Sequence, residues 1–199
     1  MTALDEELRR EFELVVTEQL DALYRTALRL QGNRADAEDA VQECCARAYH
    51  GLAGFKRDAS MKVWLFRILK NVCIDKLRWR SRLTVVSSDA DEGLLEGHAA
   101  ATGDTPEDAC ARSHICRLVD KALLRLPVEQ RAVVALVLIE EFSYLEAAEA
   151  LQVPVGTVRS RLNRARTQLR KVIASDGAED VGGASRNASP ICRQLGEAT

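Results

Sequence analysis

The sequence predicts an all-α protein with two helical domains joined by a flexible acidic linker, the C-terminal domain being a helix-turn-helix. Apolar residues recur at helical spacing through most of the 199 residues, and no alternating strand or hairpin pattern appears in the first half. Charge divides the chain as well. Residues 62–82 hold seven Lys or Arg and one acid, whereas residues 85–108 hold seven acids and no Lys or Arg. With a second basic block at 155–171, this pattern is typical of two DNA-facing modules separated by a segment that avoids DNA.

The first predicted domain spans residues 1–84 and begins with a helix over Glu6–Leu30, where apolar residues follow helical spacing. Gly32 fits the position just past the end of that helix. Asn33 fits the N-cap of the next helix, which is predicted from Ala35 to about His50.

The second predicted helix has two different faces. Ala37, Val41, Cys44 and Ala48 form an apolar stripe, in which the cysteine thiol acts as a small hydrophobe. The opposite face is rich in acids, and it is either simply solvated or docks a basic partner. Its members are Asp36, Glu38, Asp39, Gln42 and Glu43.

The third predicted helix, from Lys62 to about Arg80, mixes aromatic and cationic residues. Its buried stripe is predicted to comprise Leu65, Ile68, Leu69, Val72 and Leu77. Trp64, Phe66 and Trp79 lie among five cations, and aromatic rings in such a setting can stack on unpaired bases while the cations hold phosphates. Taken alone, Trp64 is more often a core residue.

The second predicted domain, residues 107–175, follows a flexible linker over 85–106 and precedes a disordered tail over 176–199. A helix is predicted from Thr105 to Arg125, with Pro106 in its first turn, and another from about Val128 to Glu141.

The next two helices form the predicted helix-turn-helix. Ser143 caps a short helix with Glu146 at capping-box spacing, and Pro154 turns the chain into a longer basic helix. In that helix an apolar stripe faces the core, and cations occupy the other faces with no acid among them. Such a face is either solvated or suits a polyanion such as DNA. The stripe comprises Val158, Leu162, Ala165 and Leu169, and the cations are Arg159, Arg161, Arg164, Arg166, Arg170 and Lys171.

Other function classes lack support in the sequence. No apolar run approaches the roughly 20 residues of a membrane span, and the first residues are acidic and polar, so a cytoplasmic protein is expected. The six cysteines form no C-x-x-C pair, and Cys110, His114 and Cys116 lack a fourth ligand at zinc-like spacing. We therefore expect no metal and no cofactor. No nucleophile–base pair or phosphate loop stands out, so no catalytic residue is predicted and the protein is not expected to be an enzyme.

Three stretches together resemble the extracytoplasmic-function (ECF) sigma factors of the sigma-70 family. The start of the promoter-melting domain of that family is similar to LYRTALRLQGNRADAEDAVQECCARAY. Its −10-binding helix is similar to WLFRILKNVCIDKLRWR, and its −35-binding domain is similar to LPVEQRAVVALVLIEEFSYLEAAEALQVPVGTVRSRLNRAR. The resemblance is specific because three separate motifs occur in the order and spacing of the family, over about residues 10–82 and 107–172.

The resemblance implies partners and sites. The partners are core RNA polymerase, contacted through its β′ coiled coil and β flap, promoter DNA, and an anti-sigma factor that holds the protein inactive. The acidic face of the second helix, Asp36, Glu38, Asp39, Gln42 and Glu43, corresponds to the polymerase-docking face. The −10 candidates are Lys56, Arg57, Ser60, Trp64, Arg67 and Asn71. The −35 candidates are Gly156, Thr157, Arg159, Ser160, Arg161, Asn163 and Arg164.

The chemistry of these residue types agrees with the implied roles. Arg can bind guanine and Asn can bind adenine in a bidentate way, and each such pair discriminates by about 1–3 kcal/mol. Backbone N–H groups of Gly156 and Thr157 can approach a phosphate at the helix start. Two other classes remain open on sequence alone: a stand-alone helix-turn-helix regulator, and a decoy that binds only a regulatory protein.

Overall fold

The computed structural model describes residues 3–84 and 119–177, which are helical with no strand in either range. The predicted linker, the first part of the helix predicted from Thr105, Cys110, His114, Cys116 and nearly all of the predicted tail lie outside these residues. The helices are α1 (Ala3–Gln31), α2 (Arg34–Gly51), α3 (Met61–Thr84), α4 (119–124), α5 (Val128–Val134), α6 (Tyr144–Leu151) and α7 (Val155–Gly177). The all-α prediction is confirmed for the described part of the chain.

The turn between α1 and α2 forms as the sequence predicts. Gly32 has a φ of 82°, a left-handed conformation that glycine adopts without steric cost. Its N–H donates to the Leu28 carbonyl at 2.8 Å, and Asn33 Oδ1 accepts the backbone N–H of Asp36 at 2.9 Å. A Cβ at Gly32 would also lie 3.0 Å from a methyl group of Leu124, which would have to shift by a few tenths of an ångström to admit it.

Helices α1, α2 and α3 pack on one another around a shared apolar core. Leu23 of α1 and Leu65 and Leu69 of α3 are fully buried there, and the predicted α2 stripe from Ala37 to Ala48 is buried as well. Phe66 corrects the sequence interpretation, because it is 1% exposed and belongs to the core rather than to an exposed aromatic surface. Trp79, another of the three aromatic residues that lie among cations in this helix, is 64% exposed.

Helices α5, α6 and α7 form a second helical group. The sequence predicts one helix from about Val128 to Glu141. The structure has a regular α-helix only over Val128–Val134, and a π-helical turn follows over Ala135–Ile139. The Glu140 N–H donates to the Ala135 carbonyl at 3.0 Å, the i to i−5 spacing that widens the last turn. This turn carries Phe142 into the interior.

The two helical groups contact each other through an aromatic pair. Phe66 of α3 and Phe142 lie with ring centroids 4.9 Å apart and an interplanar angle of 65°, the edge-to-face geometry that aromatic pairs favour. The Lys62 ammonium lies 4.5 Å from the centroid of Phe142. The α3 and α6 helices pack together beside this pair.

Arg131 of α5 adds a polar contact at the same boundary. Its guanidinium donates to the carbonyl oxygens of Leu30 and Leu124 at 2.8 Å and of Leu126 at 3.0 Å. The Leu30 carbonyl belongs to the last turn of α1, where carbonyl groups have no partner within the helix. Arg131 therefore caps the end of α1 from the other helical group.

Two ion pairs lie near Arg131. Arg25 of α1 binds both carboxylate oxygens of Glu140, at 3.3 and 2.8 Å, although the Glu140 side chain is only 4% exposed. Arg29 lies 3.4 Å from Asp120 of α4. Burial raises the pKa of the Asp120 carboxyl, and the nearby Arg29 charge opposes that rise.

Candidate nucleic-acid and polymerase interfaces

Helix α7 is held to the core by one face. Val158, Leu162, Ala165 and Leu169 are buried to 1% exposure or less, which confirms the predicted apolar stripe. These residues recur every three or four positions, so the faces between them point away from the core. The fold thereby presents the basic residues of α7 to the outside.

The predicted −35 residues lie mostly on that outer surface. Arg159, Ser160, Asn163 and Arg164 are exposed, and Arg161 is half-buried. Among the side chains that the structure describes, those of residues 6–82 and 119–172, no acid forms an ion pair with the three arginines. These cations therefore keep their charge available for an external anion.

In the first turn of α7, fewer backbone N–H groups are available to a phosphate than the sequence predicts. The Thr157 N–H donates to the Pro154 carbonyl at 2.8 Å, so this amide is engaged within the turn. At Gly156 an added Cβ would meet nothing within 4 Å, and the residue is exposed. The space beside the backbone of Gly156 is therefore large enough for a phosphate to approach. Thr157 is half-buried and accepts from the Ser160 hydroxyl through its carbonyl at 3.1 Å.

The turn before α7 is fixed by local hydrogen bonds. Ser143 and Glu146 form the predicted capping box at the start of α6. Gln152 ends α6 in the left-handed conformation with a φ of 56°, and the Val153 N–H donates to the Ala148 carbonyl at 3.0 Å. A glycine is usual at this position, and the hydrogen bonds offset the strain of a non-glycine residue.

The predicted −10 residues occupy the start of α3 and the loop before it. Ser60 caps α3, with its hydroxyl accepting the Val63 N–H at 3.2 Å. Arg57 has a φ of 55°, and its guanidinium lies 2.7 Å from a Glu11 carboxylate oxygen. Lys56 is exposed. The loop conformation thus places Arg57 against α1 and leaves Lys56 toward solvent.

Trp64 lies in a different environment from the other −10 residues. It is 8% exposed, with its ring centroid 5.1 Å from that of Phe55. Arg67 is half-buried and Asn71 is exposed, with Asn71 Oδ1 accepting from the Lys70 ammonium at 2.8 Å. Trp64 therefore packs against the loop, while Arg67 and Asn71 reach the surface farther along α3.

Cations of α3 and α7 lie near one another. Burial lowers the pKa of Lys70, and the positive charges of Arg78 and Arg161 lower it further while Asp75 opposes them. Arg161 belongs to α7, so this cation of α7 lies close enough to Lys70 of α3 for the two charges to repel each other. The sequence had not predicted this proximity.

The acidic face of α2 is already paired within the chain. Asp36 contacts Arg80, and the Asp39 carboxylate lies 3.8 Å from the Lys76 ammonium, both cations belonging to α3. The remaining acids pair along α2 itself: Glu43 with Arg47 at 2.8 Å, and Glu38 with Arg34 at 2.9 Å. Gln42 is exposed. Sequence reasoning missed Lys76 and Arg80 as partners because no periodic signal links α2 to α3.

The cysteines of α2 and α3 are packing groups. Cys44 and Cys73 are buried, and Cys44 Sγ donates to the Leu65 carbonyl at 3.6 Å. Burial raises the pKa of both thiols, that of Cys73 to about 11, so neither is a thiolate near neutral pH. Within the described ranges no three His, Cys, Asp or Glu side chains could together hold a metal ion, and no helix is long and apolar enough to cross a membrane.

Comparison with known proteins identifies the class. The family model of sigma-70 region 2 matches residues 15–83, and that of sigma-70 region 4 matches residues 116–169. The ECF RNA polymerase sigma factor SigW of Bacillus subtilis is 35% identical over 154 residues, which cover 76% of this chain and 82% of SigW. The chain belongs to the ECF sigma factors of the sigma-70 family.

Two solved structures are similar to the chain. The sigma factor RpoE from Bartonella quintana, in complex with the anti-sigma factor NepR, has a TM-score of 0.70 and 29% identity, covering 84% of this chain and 99% of RpoE. CnrH, in complex with the cytosolic domain of CnrY, has a TM-score of 0.60 and 27% identity, covering 84% of this chain and 90% of CnrH.

The family defines what the protein does. It is an alternative sigma factor, which directs core RNA polymerase to promoters and initiates transcription. The resemblance on three motifs is thereby confirmed. A stand-alone helix-turn-helix regulator is not favoured, because region 2 matches the N-terminal helical group as region 4 matches the C-terminal one.

Proposed function

We propose that α7 reads the −35 element through Arg159, Arg161 and Arg164, with Ser160 and Asn163 beside them. The observation that carries this proposal is the outer face of α7, where Arg159, Arg161 and Arg164 form no ion pair with an acid among the described side chains. Unpaired cations release counterions from DNA when they bind phosphates, and arginine can also bind guanine edges. Gly156 supplies the backbone nearest a phosphate, and Thr157 supports the turn.

For the −10 element we propose a surface at the start and middle of α3. Lys56, Arg57, Arg67 and Asn71 would contact the strand, since they are exposed or half-buried, and Ser60 holds the helix start. Asn71 carries both a donor and an acceptor for a base edge. Trp64 supports this surface by packing on Phe55, since little of its ring is accessible for stacking.

The polymerase-docking face is proposed to be the acidic face of α2. Glu38, Glu43 and Asp39 are exposed and hold intramolecular ion pairs, and pairs at the surface contribute only about 0–1 kcal/mol each. A basic helix of the polymerase can therefore replace Lys76 or Arg47 at little cost, while complementary charge sets the orientation of docking. The proposed residues are Asp36, Glu38, Asp39, Gln42 and Glu43.

An anti-sigma factor is proposed as a further partner. The similar structure of the sigma factor RpoE is a complex with the anti-sigma factor NepR, and it covers 84% of this chain. The similar structure of CnrH is a complex with the cytosolic domain of CnrY and also covers 84% of this chain. Co-purification that yields only polymerase subunits under all growth conditions would count against this partner. We further propose that the protein acts in the cytoplasm with polymerase and catalyses no covalent chemistry. The energy for promoter melting would come from binding the non-template strand and from the polymerase.

Run-off transcription with purified core polymerase over a promoter library tests the main assignment. Arg161→Ala is expected to lower promoter use by about five-fold to more than a hundred-fold, the range of one lost arginine–base contact. Core-polymerase binding should stay unchanged. Lys171→Ala is the matched control, because that exposed cation lies ten residues, or about 15 Å, along the same helix. Equal loss of polymerase binding and promoter use in Arg161→Ala would contradict the assignment of α7.

A further inference from the structure

An aromatic side chain at the start of α6 contacts the basic face of α7. The Arg159 guanidinium carbon lies 5.7 Å from the centroid of the Tyr144 ring. This distance is within the range in which a guanidinium is attracted to the face of an aromatic ring. Arg159 has no acidic partner in the described chain, so the ring is the group that the structure shows holding its cation.

The backbone of Tyr144 is firmly placed. Tyr144 follows Ser143 directly, and Ser143 accepts the Glu146 N–H through its hydroxyl at 3.2 Å while its own N–H donates to the Glu146 carboxylate at 2.9 Å. These two hydrogen bonds satisfy orphan amides of the helix start and fix its direction. The ring of Tyr144 therefore projects from a rigid element rather than from a loop.

The buried core face of α6 does not include Tyr144. The core face of α6 consists of Ala147, Ala148, Ala150 and Leu151, all buried. Tyr144 is 37% exposed, and its neighbour Leu145 is 71% exposed. Tyr144 thus lies at the edge of the core, on the side where α6 meets α7.

An aromatic ring is a suitable support for an arginine that must bind DNA. A free arginine side chain has many rotamers, and ordering it on binding reduces affinity and selectivity. An acidic support would order the side chain but would also neutralise the charge that DNA requires. A ring face orders the planar guanidinium by stacking and leaves its charge and its edge N–H donors available.

We propose that Tyr144 is a positioning residue that orients Arg159 toward a guanine in the −35 element. The ring covers one face of the guanidinium, so that its forked N–H edge is directed to the O6 and N7 acceptors of that base. This inference rests on the proposed role of α7. Tyr144 acts through Arg159 and sets base preference at one position of the promoter.

The expected size of the effect follows from the strength of the contact. Exposed cation–π contacts correspond to about a two- to five-fold change in an equilibrium. Tyr144→Leu keeps apolar bulk but removes the ring face, so the preference for guanine over the other bases should fall by that factor. Tyr144→Phe keeps the ring and should retain the preference. Arg159→Lys keeps the charge but loses the planar fork, so it should lose the preference as well.

The experiment uses holoenzyme assembled from the full chain and core polymerase on templates randomised across the −35 element. Wild-type transcription first identifies preferred bases, and Arg159→Ala identifies the position whose guanine preference depends on Arg159. Tyr144→Leu, Tyr144→Phe and Leu145→Ala are then compared at that position. Leu145→Ala is the control for an exposed side chain on the same turn and should match wild type. Thermal unfolding of each variant checks that α6 is intact.

The double variant decides whether Tyr144 acts through Arg159. If it does, Tyr144→Leu causes no further loss of base preference in an Arg159→Ala background. Additional loss in that background, or unchanged preference in Tyr144→Leu alone, would overturn the inference. An Arg159→Ala variant with full guanine preference at every position would overturn it too, while leaving the sigma factor function intact. Failure of the proposed function is distinct, since the wild-type holoenzyme would then show no −35 preference at all.

Discussion

The acidic face of α2 and the basic face of α7 differ in whether their charges are paired within the chain. Acids of α2 already contact cations of the same chain, such as Asp36 with Arg80 and Asp39 with Lys76. Arg161 and Arg164 of α7 have no acidic partner in the described residues. DNA carries one negative charge per about 1.7 Å of its axis, so each unpaired cation that reaches a phosphate raises the binding affinity, whatever the base sequence.

A protein partner imposes a different requirement. Unpaired acids on α2 would attract any basic surface, whereas paired acids are released only where a partner offers cations at the right places. Under the proposed roles, α7 would supply strong electrostatic affinity for DNA, to which base contacts add selectivity. The α2 face would exchange weak ion pairs selectively with a polymerase surface.

The largest effect is expected from truncating a side chain of the apolar stripe that holds α7 to the core. Leu162→Ala should lower the free energy of unfolding by about 2–5 kcal/mol, because Leu162 is 1% exposed and its truncation leaves a cavity. Denaturant unfolding followed by circular dichroism measures this value. Leu145→Ala, on an exposed leucine, should change stability by no more than about 0.5 kcal/mol. Similar values for the two variants would show that α7 is not held by its apolar stripe.

Arg131 is a cation of a third kind, half-buried and hydrogen-bonded to backbone carbonyls. Arg131→Ala should destabilise the fold by about 3 kcal/mol, since hydrogen bonds from charged donors contribute about 1.5–3 kcal/mol and buried carbonyls would lose partners. Arg131→Lys should recover only part, because a single ammonium cannot reach the same carbonyls as a planar fork. Full recovery by lysine would mean that charge alone matters there. Chemical denaturation of both variants supplies the comparison.

A smaller effect is expected at the capping box of α6. Ser143→Ala should cost about 1 kcal/mol at neutral pH. Hydrogen bonds from Ser143 hold the pKa of Glu146 below its usual range, so the Glu146 part of this stability is present above the ordinary glutamate pKa. It is lost as pH falls through the lowered folded-state value. Unfolding measured from neutral to acidic pH should therefore show wild type and Ser143→Ala converging, and a constant difference would exclude the Glu146 contribution.

The contrast in charge pairing is tested most directly on α7 by salt titration. Arg164→Ala should reduce the slope of log K against log salt for DNA binding by about 0.9, as expected for one lost phosphate contact. Gln168→Ala, an exposed neutral position on the same helix, is the control and should leave the slope unchanged. An unchanged slope in Arg164→Ala would place that side chain away from phosphates. Holoenzyme binding to promoter fragments at several salt concentrations provides the measurement.

The smallest effect on stability is expected on α2. Asp39→Asn should change the free energy of unfolding by less than about 1 kcal/mol, because the Asp39–Lys76 pair is exposed and 3.8 Å long. Polymerase association should nevertheless slow and lose part of its salt dependence. Glu18→Asn, an exposed acid on α1, serves as the control in binding kinetics. An equal effect of both substitutions on association would indicate that only net charge matters.

Local features of the fold were predictable from sequence. The Gly32–Asn33 turn and the Ser143 capping box are confirmed because each depends on residues within four positions of one another. The stripe of α7 is confirmed because its spacing alone defines one face of a helix. The π-helical end at Ile139 was not predictable, since it depends on the position that Phe142 takes in the interior.

The candidate sites were predictable as sets of residues but not in their surroundings. Trp64 and Phe66 have the same aromatic character in sequence as Trp79, yet the first two are buried and the third is exposed. Which face of α3 is enclosed depends on the helices that pack against it. The cations that pair with the acids of α2 come from α3, and Arg25 meets Glu140 across 115 positions of sequence.

Local sequence patterns predict that the described part of the chain is helical, where most of its helices begin and end, and which faces carry acids or cations. These properties follow from periodicity and from capping residues, which act over a few positions. The packing of helices against one another establishes which charges are already paired, which aromatic rings are buried, and that Tyr144 lies against Arg159. Those properties depend on contacts between helices, and the local periodicity of a sequence does not predict which distant residues will be in contact.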